Sequence, residues 1–132
     1  MSFPTAAVLD SILHEIRILQ HLATKLPRNQ GDWRPTPGQR SLDELLRYLS
    51  ICAIGGVKSI TGRGPEMETL KARAAAVDAE TFSAALDTQA AELREVFSQV
   101  TEAELTDTNS GDLPWEKNVG LARQLLEIGL KF

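Results

Sequence analysis

Apolar residues return at three- and four-residue steps along most of the chain, and no segment alternates in the manner of a half-buried strand over a useful length. Leu9, Ile12, Leu13, Ile16, Leu19, Leu22 and Leu26 fall on one stripe at about 100° per residue. This predicts a helix from Thr5 to Lys25. Pro4 or Thr5 opens it, and Pro27 closes it because a proline disfavours helical geometry in the residue before it. A second stripe is formed by Leu42, Leu45, Leu46, Leu49, Ala53, Gly56 and Ile60. Its start is the best marked in the chain, since Ser41-Leu42-Asp43-Glu44 reads as a capping box in which Ser41 and Glu44 satisfy each other's amides. Gly55-Gly56 lies inside this helix, where a glycine costs about 1 kcal/mol relative to alanine. Close approach of a neighbouring helix, or a kink, is the expected compensation. Gly62-Arg63-Gly64-Pro65 ends the segment.

Residues 66–76 predict a short, weakly apolar helix lying across the outside. Asp78 is a suitable N-cap for a third long helix reaching Val100, with Phe82, Leu86, Leu93, Val96, Phe97 and Val100 facing inward. Gln89 shares that face, either as a satisfied core polar group, the primary expectation, or as the lining of a pocket. After a polar, acidic stretch, Asp112-Leu113-Pro114 is expected to open a last helix whose inner face is Val119, Ala122, Leu125, Leu126, Gly129 and Leu130. Four long helices predict an all-α four-helix bundle. The connection from Pro27 to Arg40 holds three prolines and two glycines and reads as a loop, in which Trp33 is expected to pack back over the end of the bundle. The last pattern stops at Phe132 in mid-stripe with no glycine cap or polar tail, as expected of a chain truncated at its C-terminus.

Length and composition narrow this picture. The 132 residues suit one domain spanning 1–132, and 42% hydrophobic with 24% charged residues is the balance of a globular protein rather than a disordered one. A net charge of −4 argues against nucleic acid as a partner, because phosphate binding needs clustered lysine and arginine. No window approaches the roughly 20 apolar residues of a membrane span, and no secretory signal is visible at the N-terminus, so the default address is cytoplasmic. Cys52 is the sole cysteine, which excludes an intramolecular disulfide and any CxxC site. Set among Leu49, Ile51, Ala53 and Ile54, it reads as a small buried hydrophobe rather than a reactive thiol.

The stretch from Trp33 to Leu49 is the most informative part of the sequence. Trp33-Arg34-Pro35 leads through Pro37-Gly38-Gln39 to Arg40-Ser41-Leu42-Asp43-Glu44-Leu45, and the first helix ends in Lys25-Leu26-Pro27 just before it. This arrangement resembles the DinB/YfiT-like family, in which a Trp-Arg-Pro loop precedes Arg-Ser-Leu-x-Glu-Leu at the start of the second helix. The resemblance implies a helical bundle, pairing of two copies through helices, and a divalent metal such as zinc or nickel serving hydrolase or thiol-transferase chemistry. It also implies a metal-binding histidine seven residues after the serine and a His-x-x-x-His pair on the last helix.

This chain departs from the implied ligand set at every position. Tyr48 stands seven residues after Ser41, and no histidine follows His21. A phenol is a poorer ligand for a borderline divalent ion than a neutral imidazole. His14 and His21 are two turns apart and share a face, but it is the face opposite the apolar stripe, with Asp10, Arg17 and Lys25. A solvated polar surface is the expected reading there, with a partner-binding face as its competitor; Ile18 lies on the same side. The pocket candidates are therefore Tyr48, Cys52 and Gln89, lining what remains of an ancestral site without metal. The carboxylates form no catalytic pattern, and nothing resembles a phosphate loop or a nucleophile elbow. Arg34, Arg40 and Arg47 either hold an anion near the bundle end or pair with surface acids. Two functions stay open: a binding or structural module with a degenerate metal site and no cofactor, and a metal-dependent hydrolase or thiol transferase whose ligands lie outside this segment.

Overall fold

The computed structural model describes residues 5–27, 29–100, 111–113 and 116–119. Its helices are α1 (Thr5–Ala23), α2 (Leu42–Leu49), α3 (Cys52–Thr61), α4 (Met67–Ala74) and α5 (Phe82–Gln99), followed by two short strands, β1 (Gly111–Leu113) and β2 (Glu116–Val119). α1 packs along α5, and α5 also receives α3. The core between them joins Val8, Ile12 and Ile16 of α1 to Ile54 and Val57 of α3 and to Phe82, Leu86 and Leu93 of α5. The fold is the all-α bundle that the periodicity predicts, with the strand pair as the one extended element among the described residues.

Within α1 the buried stripe is rotated from the expected one. Val8, Ile12, Leu13, Ile16 and Ala23 are buried, Leu9, Leu19 and Leu26 pack against the core from its margin, and Leu22 is 52% exposed. Ala23 takes the inward position of the last turn, which leaves its neighbour Leu22 about 100° away. The inner face of α5 is as expected, with Phe82, Leu86, Leu93, Val96 and Phe97 all buried and Val100 buried just beyond its end.

Asp78 does not cap α5. Its Oδ1 accepts the amides of Glu80 (2.9 Å) and Thr81 (3.0 Å), closing a separate turn, and the helix begins four residues later at Phe82. α4 is less peripheral than its weak pattern suggests. Leu70 is fully buried and Ala74 nearly so, and Arg73 forms a two-pronged pair with Glu92 of α5 at 2.7 and 2.8 Å. The end of α3 is built as the sequence indicates: Gly62 adopts φ 72° and donates to the Lys58 carbonyl, while Lys58 Nζ donates to the Gly62 and Gly64 carbonyls.

The expected opening of the last helix is corrected. Residues 111–113 and 116–119 pair antiparallel, with Gly111 opposite Val119 and Leu113 opposite Glu116. Leu113 precedes a proline, which disfavours helical geometry there. The remaining expected inner-face positions, from Ala122 to Leu130, and the abrupt end at Phe132 lie outside the described residues, as does the acidic stretch 101–110. Three long helical passes are therefore described: α1, α2–α3 and α5.

Candidate functional site

The entrance to α2 is assembled from the loop that precedes it. The Leu42 amide donates to the Trp33 carbonyl and the Asp43 amide to the Gly31 carbonyl, both at 2.9 Å, so two of the first free amides of the helix are satisfied by the loop backbone. The capping box is present, with the Glu44 amide donating to Ser41 Oγ at 3.2 Å and the Ser41 amide reaching Glu44 Oε1 at 3.5 Å. Arg34 pairs with the same carboxylate oxygen and also donates to the Gln39 carbonyl. The Arg34 guanidinium first, and then the Ser41 hydroxyl, hold the Glu44 carboxyl below its usual range.

With its backbone pinned in this way, Trp33 does not fold back over the bundle end as expected. It is 58% exposed and lines two adjoining clefts. One, of about 430 Å³, is bounded by Asn29 to Trp33 and by Asp43. The other, of about 470 Å³, is bounded by Trp33, Pro35, Leu42 and Leu45 with Arg40 and neighbouring loop residues.

After the eight residues of α2 the backbone breaks. Ser50 and Ile51 interrupt the helix, one turn before the Gly55-Gly56 pair where a kink was expected. In a continuous helix the Ala53 amide would donate to the Leu49 carbonyl. Instead, the Gln89 side chain from α5 stands between them. Gln89 Oε1 accepts from the Ala53 and Ile54 amides at 3.0 and 3.1 Å, and Gln89 Nε2 donates to the Leu49 carbonyl at 3.1 Å. One buried amide thus caps the start of α3 and the end of α2 together, the kind of side-chain insertion that breaks a helical ladder. Ser50, also buried, turns its hydroxyl onto the Arg47 carbonyl at 2.7 Å. Gln89 is 1% exposed and fulfils the expectation of a satisfied core polar group. The break itself was not anticipated; its sequence signals are a serine and a β-branched isoleucine inside an apolar helical run, both weak helix formers.

Cys52 and Gln89 meet at this break. The Cys52 thiol donates to the same Leu49 carbonyl at 3.6 Å, and burial pushes its ionisation up to about 12. That is the behaviour of an inert, half-buried thiol. Tyr48 sits one turn before it and nearer the surface, with the Arg40 guanidinium 4.2 Å from the centre of its ring. Arg47 reaches the Val77 carbonyl at 3.2 Å. Of the three arginines, then, Arg34 pairs with an acid, Arg40 stacks on a ring and Arg47 caps a carbonyl. His14 and His21 are exposed on the outer face of α1, beside the exposed Asp10, Arg17 and Lys25. Among the described residues, no three of the His, Cys, Asp and Glu side chains come together as a metal would require, and no helix is long and apolar enough to cross a membrane.

No curated protein and no solved structure matches the chain. The sequence profile of the DinB superfamily matches residues 13–124, which takes in α1 to α5 and the strand pair apart from the first turns of α1. With its bundle of helices, its capped entrance to α2 and this match over most of its length, the chain belongs to the DinB superfamily.

Proposed function

We propose that this chain is a single-domain binding or structural module of the cytoplasm, paired as a homodimer, in which the metal site of its superfamily has degenerated. The observation that carries this reading is Tyr48. It occupies the second-helix position where the family resemblance implies a histidine, and the Arg40 guanidinium lies over its ring. The residues present do not fit a divalent cation there, since a tyrosine side chain is a poorer ligand than an imidazole and a fixed cation beside it repels a second one. Tyr48, Cys52 and Gln89 mark the remnant of the ancestral pocket in this reading. Gln89 spends both its oxygen and its nitrogen on the backbone of the helix break, so it contributes shape rather than a free polar contact.

Family membership supports a second reading, a divalent-metal-dependent hydrolase or thiol transferase whose ligands come from outside the described residues or from a second copy. Metal analysis of the purified protein by mass spectrometry separates the two. The first reading expects substoichiometric zinc, nickel and iron, a melting temperature unchanged by chelator, and no gain in metal affinity in Tyr48→His. Stoichiometric metal that is lost on mutating His14 or His21 would overturn it.

A further inference from the structure

The larger of the two clefts at the entrance to α2 is lined by residues other than Tyr48, Cys52 and Gln89, and it touches that region only through Arg40, whose guanidinium lies over the Tyr48 ring. We infer that it is a binding site for a small aromatic anion, such as an aryl carboxylate or sulfonate. Its volume of about 470 Å³ falls in the range of small-molecule sites, roughly 300–1,000 Å³. Its walls are apolar: the Trp33 indole, Pro35, Leu42 and Leu45. Trp33 is 58% and Leu45 40% exposed, so both keep apolar surface available to a guest. An indole held by a pinned backbone is a stacking surface for a flat ring.

The charge at the rim selects the sign of that guest. Arg40 lines the cleft and is exposed, and among the described residues no carboxylate pairs with it. Its partner is the Tyr48 ring, and stacking occupies the face of a guanidinium while leaving its in-plane N–H donors for an oxyanion. The two acids that follow Arg40 most closely in the sequence are otherwise disposed. Glu44 is neutralised by Arg34, and Asp43 lines the neighbouring cleft. An apolar slot ending in a stacked arginine thus matches a flat ring that carries one negative group.

The probe for the full chain is 1-anilinonaphthalene-8-sulfonate, compared with its uncharged parent 1-anilinonaphthalene. Saturable binding of one sulfonate per chain is expected, with energy transfer from tryptophan that falls in Trp33→Leu, where Trp115 is the one donor left. Arg40→Gln is expected to weaken the sulfonate about tenfold while leaving the parent compound unchanged, and Leu45→Ser to weaken both. Far-ultraviolet circular dichroism and melting temperature, unchanged in each variant, establish that the cleft and not the fold was altered. The inference falls if the charged and uncharged probes bind alike, if the three variants leave binding unchanged, or if sedimentation shows a second copy occupying the cleft and excluding the probe. Because no readout involves metal, its failure leaves the degenerate-site reading standing, and the reverse holds too.

Discussion

The segments 42–61 and 82–99 have similar lengths and the same apolar periodicity, yet α5 runs unbroken while its neighbour divides into α2 and α3 at Ser50 and Ile51. Nothing local accounts for the difference fully, since 42–61 contains no proline and its glycine pair lies within α3 rather than at the break. What differs is the use of one polar residue. Gln89 is a buried amide on the intact helix, and it is satisfied by displacing the ladder of the other. A helix can therefore be interrupted by its neighbour's side chain when that side chain has nowhere else to place its hydrogen bonds.

The contrast can be broken first on its intact side. Leu93→Ala removes a fully buried side chain from α5 and should cost about 3 kcal/mol in urea unfolding with an unchanged m-value. A loss well under that would mean that α5 does not organise the core. Gln89→Leu keeps the size but leaves the Ala53 and Ile54 amides without their acceptor and the Leu49 carbonyl with the Cys52 thiol alone, and should cost about 2 kcal/mol. A neutral result accompanied by a gain in helical circular dichroism would show instead that the ladder closes once the amide is removed.

At the start of the broken segment, Ser41→Ala should cost about 1 kcal/mol through loss of the cap, with no counterpart at Thr81, whose side chain makes no capping bond to α5. The acid limb of stability reports on the same corner. The folded state holds the Glu44 carboxyl below its unfolded value, so its contribution is complete above the unfolded value and fades as pH falls through the folded one. Arg34→Gln should remove most of that dependence, visible as a shallower fall of melting temperature between pH 5 and pH 3, roughly the carboxylate range. The smallest effect concerns Cys52, whose ionisation is pushed up to about 12. Alkylation by iodoacetamide at pH 8 or so, roughly where an ordinary thiol begins to ionise, should be slow in the native protein and fast in urea. The same shift makes stability decline above the ordinary thiol value as the unfolded state, but not the folded one, releases the proton.

Much of this was legible in the residues. The stripes of α1 and α5 and the capping box were readable because each depends on side chains close in sequence, and Ser41 and Glu44 need only each other. The break at Ser50 was not, because its cause lies on another helix and appears locally only as two weak helix formers. Trp33 was misplaced for a related reason. A tryptophan is expected to seek cover, but here the loop's hydrogen bonds to Leu42 and Asp43 set its backbone first and leave the indole outside. The opening of the last helix failed on Leu113, where the restriction imposed by the following proline outweighed the helical pattern beyond it. Of the site candidates, the sequence identified Gln89 as the polar residue to explain, and Tyr48 as the departure from the ligand pattern. It did not reveal that Gln89 and Cys52 share one carbonyl, or that Arg40 covers Tyr48.

The inserted amide also bears on the order in which the chain folds. Two amides of the first turn of α3, those of Ala53 and Ile54, donate to a side chain 36 and 35 positions away, so local nucleation cannot complete it. That turn must wait for α5 to dock, which places it late on the folding path and makes its native contacts scarce in the transition state. The amide protons of Ala53 and Ile54 then act as reporters of tertiary assembly: their exchange with solvent follows the opening of the whole bundle, although they sit where helices ordinarily fray.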